Sequence, residues 1–87
     1  MVKVTLLTTS NCPYCPLAKE VWGELRKKHE FEFEVIDAMT PKGKELITKF
    51  NVMAVPTSII SYESGKEEVA FRGVPDPDKA AEKLVER

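Results

Sequence analysis

Two cysteines and a single histidine are all the soft metal ligands this sequence offers. A structural zinc site takes four ligands, usually two Cys-x-x-Cys pairs or one such pair with two histidines. The composition therefore argues against a mononuclear metal site within one chain, and His29 lies far from Cys12 along the sequence. No stretch approaches the ~20 consecutive apolar residues that cross a bilayer. The first ten residues, MVKVTLLTTS, have neither the long apolar region nor the small-residue cleavage site of a signal peptide. They read as a first strand and imply a cytoplasmic location. The net charge is -1 and the longest like-charge run is Arg26-Lys27-Lys28, so a basic nucleic-acid footprint is absent. Internal repeats, linkers and low-complexity tracts are missing too.

What remains is the mix of a globular domain, with 43% hydrophobic and 31% charged residues. At this length folding buries roughly 60–65% of the unfolded surface, enough for a core without staples. One domain over residues 1–87, acting as a monomer with neither membrane nor nucleic acid as partner, is the expectation.

The order of elements is legible. Val2 to Thr8 is apolar and β-branched, a buried strand. From Pro13 to Lys28 the period is helical, with Leu17, Val21 and Leu25 at i, i+4, i+8 and Ala18 and Trp22 beside them. Phe31 to Val35 alternates apolar and acidic residues, as expected of an edge strand with one wet face. Thr40-Pro41 reads as an N-cap followed by proline at N1. That helix runs to about Phe50, with Leu46, Ile47 and Phe50 inward. Thr57 to Tyr62 and Glu67 to Arg72 form two strands around the turn Glu63-Ser64-Gly65-Lys66. Asp76-Pro77 caps a last helix with an apolar stripe of Ala80, Ala81, Leu84 and Val85. The sum is an α/β fold, β-α-β-α-β-β-α, closing as a mixed four-stranded sheet covered by three helices.

Both cysteines fall in Ser10-Asn11-Cys12-Pro13-Tyr14-Cys15-Pro16. A disulfide gains stability with the length of loop it closes, and this loop encloses two residues, so a structural staple is a weak reading. A Cys-x-x-Cys beside a βαβ pattern is instead a redox signature. The sequence puts Cys12 at the helix N-cap, where unpaired amides and the positive helix end favour a thiolate. Cys12 is then the low-pKa nucleophile. Cys15, one turn in, is more shielded and placed to attack a mixed disulfide on Cys12. Pro13 suits N1. Pro16 falls at N4, where it removes a bond to the Cys12 carbonyl. The bland reading is that a first turn tolerates proline; the sharper one is that Pro16 stiffens the turn and alters the redox potential.

These residues resemble the thioredoxin superfamily, and within it a glutaredoxin-like or small archaeal-type thioredoxin. The resemblance covers nearly the whole chain and rests on Cys12-Pro13-Tyr14-Cys15, on Val55-Pro56-Thr57, on Gly73 and on the element order. It implies a thioredoxin (glutaredoxin-like) fold and a thiol–disulfide oxidoreductase carrying a redox-active Cys12–Cys15 disulfide and no tightly bound cofactor. Pro13 and Tyr14 support the active site. Val55, Pro56 and Thr57 shape a substrate groove, with Pro56 cis and the Val55 backbone offered to an extended peptide. Gly73 borders that groove, where a side chain would crowd the substrate. Partners implied are disulfide-containing proteins and a thioredoxin-reductase-type donor or a small thiol.

Cys-Pro-Tyr-Cys is the tetrapeptide of dithiol glutaredoxins, so glutathione is an alternative co-substrate. The glutathione anchors differ, however. Thr9 and Met53 stand where glutaredoxins usually carry a cation or a polar anchor, and Gly73-Val74-Pro75-Asp76 replaces a double-glycine turn. Each lost charged anchor is worth about 1.5–3 kcal/mol. The thioredoxin pattern is altered as well, since Asn11 replaces a tryptophan and Leu6 a buried carboxylate. A dimer sharing an iron–sulfur cluster through Cys12, and a non-catalytic interaction module, are the other readings.

Overall fold

The structure is a computed structural model that describes residues 1–85. Its elements are β1 (Lys3–Thr8), α1 (Cys15–Arg26), β2 (Glu32–Asp37), α2 (Pro41–Phe50), β3 (Thr57–Ser61), β4 (Glu67–Arg72) and α3 (Pro77–Leu84). The strands form one mixed sheet in the order β2-β1-β3-β4. β1 runs parallel to β2 and antiparallel to β3, and β3 and β4 form the hairpin. The order and type of every element agree with the sequence reading.

The two-residue period of the central strands sorts the core onto two faces. Val4, Leu6 and Ile60 point to one side and pack with Ala18, Trp22 and Leu25 of α1, Phe31, and Ala80 of α3. Leu7 and Ile59 point to the other, where they meet Ile36 and the half-buried Leu46, Ile47 and Phe50 of α2. Covered on both faces, β1 is buried almost throughout, Thr5 and Thr8 included.

Three details differ from the sequence expectation. The apolar stripe of α1 is turned by one position: Ala18, Trp22 and Leu25 are buried, Val21 is half-buried and Leu17 is exposed. β2 pairs without a break as far as Asp37, so Val35 shares the Phe33 face yet is 40% exposed at the edge, while Ile36, on the opposite face, is buried against α2. Val85 lies beyond α3 and is exposed, so the last stripe ends at Leu84.

Three acidic residues of the sheet, Glu34, Glu67 and Glu68, are paired with lysines. Glu34 meets Lys3 and Lys42 at 2.9 and 3.5 Å, and Glu67 meets Lys49 at 2.8 Å. Glu68 accepts from the Tyr62 hydroxyl at 2.6 Å, which holds its carboxyl below the usual range against the opposing effect of burial. Its second partner, Lys83 at 3.3 Å, ties α3 to the hairpin.

The β2–α2 corner is unusually tight. The Asp37 carboxylate accepts from the Met39 amide at 2.8 Å, and the Thr40 hydroxyl donates to the Asp37 carbonyl at 2.7 Å while accepting from the Gly43 amide at 3.1 Å. This folds the corner onto the third residue of α2. A Cβ on Gly43 would overlap the Asp37 carbonyl oxygen and lie 2.7 Å from the Ala38 Cα. Alanine gains about 1 kcal/mol of helix propensity over glycine, but backbone cannot yield as a side chain can. Gly43→Ala is therefore expected to lose about 1–3 kcal/mol, measured by urea unfolding.

Candidate active site

The register of the sheet gathers three loops at one end. β1 and β3 are antiparallel with Leu7 opposite Thr57, so the chain leaves β1 toward the cysteines at the edge where it enters β3 from Pro56. Thr57 is also opposite Arg72, which brings the end of β4 and Gly73 to the same edge. The junction is closed by a hydrogen bond from the Gly73 amide to the Pro56 carbonyl at 2.8 Å. The Thr57 hydroxyl braces the preceding turn by donating to the Ala54 carbonyl at 2.6 Å. The Val55–Pro56 peptide bond is cis, as the resemblance implied.

Cys12 and Cys15 are joined in a disulfide with Cα atoms 5.4 Å apart. Their environments differ: Cys12 is half-buried, whereas Cys15 is 3% exposed in the core side of α1. Pro13 and Tyr14 are exposed between them, Tyr14 by 61%.

The helix start corrects the sequence expectation. α1 begins at Cys15, with Tyr14 rather than Cys12 in the N-cap position and no side-chain cap. The reason is Pro16. Lacking an amide hydrogen, it cannot bond back to the Cys12 carbonyl, so Cys12 is left outside the ladder and Ala18 donates to Tyr14 at 3.1 Å. Pro16 thus stands in the first turn, where a helix needs no donor. The disulfide still holds the Cys12 sulfur against the first residue of α1.

Gly73 has φ +101°, a conformation that favours glycine, and a Cβ there would meet no protein atom within 4 Å. The residue is required by its backbone, and the space above it is open. Pro75 is fully buried and anchors this loop, while the Asp76 carboxylate caps α3 by accepting from the amides of Asp78 and Lys79 at 2.9 and 3.3 Å.

Met53 and Val74, which in the sequence stand out only as departures from a glutathione site, are exposed by 82% and 41%. With Tyr14 and Leu17 they are large apolar side chains left in solvent on the segments that flank the disulfide. The signal of Met53 and Val74 in the sequence is an apolar residue inside a loop. Among the described residues no group of three or more His, Cys, Asp or Glu is arranged to hold a metal ion, and no helix is long and apolar enough to cross a membrane.

A family model described as a thioredoxin domain matches residues 1–86. The chain belongs to the thioredoxin family. It is 33% identical over 99% of its length to a thioredoxin of Methanocaldococcus jannaschii, covering 95% of that protein. It is also 33% identical to a probable thioredoxin of Methanothermobacter marburgensis, over 97% of this chain and 93% of the other. The solution structure of a thioredoxin-like protein from Clostridium perfringens superposes with a TM-score of 0.83 at 20% identity, over 97% of this chain and 68% of that one. These findings place the chain with small archaeal-type thioredoxins rather than glutaredoxins, and make it a thiol–disulfide oxidoreductase with Cys12–Cys15 as its redox disulfide.

Within this thioredoxin site, Gly73→Ala forces a side chain into a glycine conformation. The expected cost is about 1–3 kcal/mol in urea unfolding, accompanied by slower reduction of protein disulfides.

Proposed function

We propose that the protein reduces disulfides in other proteins, with Cys12 as nucleophile and Cys15 as resolving thiol. The carrying observation is the unequal burial of the two sulfurs' residues: Cys12 reaches solvent beside the Pro56 and Gly73 loops, and Cys15 does not. In the reduced form the start of α1 favours a thiolate on Cys12. That thiolate attacks one sulfur of the substrate disulfide; the substrate S–S bond breaks and its other sulfur leaves, taking up a proton. The Cys15 thiolate then attacks the Cys12 sulfur, displaces the substrate's second thiol, and forms the Cys12–Cys15 disulfide. Two electrons pass from the dithiol to the substrate.

Val55 makes no backbone hydrogen bond within the described residues, which leaves it able to pair with an extended substrate strand. Pro56, Thr57 and Gly73 form the walls of that groove, and Tyr14 and Pro13 its rim. A thioredoxin-reductase-type donor or a small thiol regenerates the dithiol. Glutathione is the less suited donor. Met53 supplies no charge, Thr9 supplies none, and the Asp76 carboxylate is engaged in capping α3. A cytoplasmic monomer acting as one domain fits this role.

Cys12→Ser should abolish turnover. Cys15→Ser should accumulate a mixed disulfide with substrate, seen as a mass adduct that dithiothreitol removes. Full turnover by Cys15→Ser, or an adduct on Cys15 in the Cys12→Ser variant alone, would reverse the assignment.

A further inference from the structure

The thiol chemistry uses the cysteines and the docking loops but leaves the one tryptophan unexplained. Trp22 is fully buried on the same face of α1 as Cys15 and Ala18, two helical turns beyond the cysteine. Its Nε1–H donates to the Ser58 hydroxyl at 3.0 Å, and Ser58 is itself fully buried. Among the described residues this is the one side-chain hydrogen bond between α1 and the sheet.

The positions it reaches are those next to the docking loops. Ser58 lies two residues after Pro56, and its partner across the hairpin is Phe71, two residues before Gly73. The Trp22 indole also packs edge-on against Phe71, with ring centroids 6.1 Å apart. Immediately beyond this pair the ladder slips: Ile59 is opposite Val69, so Ala70 is an extra residue on β4. A bulge of this kind bends its strand and re-aims the residues next to it. The indole therefore touches both strands on the loop side of the bulge. It is held from behind by Phe31 at 5.9 Å and Phe33 at 6.5 Å.

We propose that Trp22 is a positioning residue: through Ser58 and Phe71 it sets the Pro56 and Gly73 loops relative to the helix that carries Cys15. The inference rests on the reading of those loops as the substrate groove. A residue with this role acts on how a polypeptide is aligned for attack and leaves the intrinsic thiol chemistry alone. Small disulfides, which need no groove, are indifferent to it.

The test compares Trp22→Phe, Ser58→Ala and the double variant, each confirmed as folded by circular dichroism. The single variants orphan a buried polar group or leave a gap. The double variant removes both partners of the hydrogen bond, a change that restores much of the stability lost by breaking only one. Each is assayed for reduction of insulin disulfides, for reduction of an aromatic small-molecule disulfide, and for the midpoint potential of Cys12–Cys15. The expected result is a KM for insulin raised on the order of tenfold in Ser58→Ala and in the double variant. The small-disulfide rate and the potential stay at wild-type values. Retention of the wild-type insulin KM by the double variant would overturn the proposal, as would a parallel fall of both rates or a shifted potential. If Trp22→Phe does not fold, Ser58→Ala, the smaller change, decides alone. Failure of the wild-type protein itself to reduce insulin would overturn the groove reading together with this one.

Discussion

β1 leaves the sheet at the edge where β3 enters it, because the two strands are antiparallel with Leu7 opposite Thr57. The cysteine corner and the Val55–Pro56 turn lie far apart in sequence, yet this pairing puts them at one end of one sheet. The same Thr57 is opposite Arg72, so the Gly73 loop arrives at that end as well and is pinned to Pro56. Everything that makes the site depends on holding the central pair in register. That is why β1 is buried on both faces and why each of its apolar side chains has a defined neighbour. A slip of one residue would exchange Leu6 and Leu7 between the two cores.

The site itself is made unequal by local covalent chemistry. Pro16 denies the helix a bond to Cys12, so the helix starts at Cys15 and carries that residue into the core. Cys12, outside the ladder but tethered to its first residue, is left where a substrate can reach it. One missing amide hydrogen thus accompanies the separation of a half-buried cysteine from a buried one. The two halves of the chemistry need that separation: attack requires access, and resolution must wait until a mixed disulfide has formed beside the buried thiol.

Much of this was legible in the sequence. Element order and the cysteine pair are legible because each has a strong local signature, period 2 or 3.6 and a redox spacing. The Val55-Pro56 and Gly73 positions stand out only through the family resemblance, since by local pattern Pro56 is an ordinary strand-entry proline. The features that were not legible depended on partners distant in sequence. Leu17 and Trp22 both read as helix-face residues, and only the packing of Phe31, Phe33 and Phe71 decides that Trp22 goes in and Leu17 stays out. The alternation of residues 31–35 places β2 at the sheet edge, as found, but gives Val35 the same inward face as Phe33 and does not show that the edge leaves Val35 itself 40% exposed. Gly43 carried no signal beyond being a glycine near a helix start; its need comes from the backbone of Asp37 and Ala38 across the corner. The helix start is harder to place, since by sequence Pro16 interrupts a helix that begins at Cys12, whereas in the structure it opens one that begins at Cys15.

Cys12 is half-buried and Cys15 is buried, an inequality that should appear in their reactivity. The fully reduced protein, exposed briefly to a sub-stoichiometric amount of iodoacetamide at neutral pH and digested for mass spectrometry, measures this directly. Alkylation is expected on Cys12 with Cys15 spared. Equal labelling of both, or faster labelling of Cys15, would contradict it.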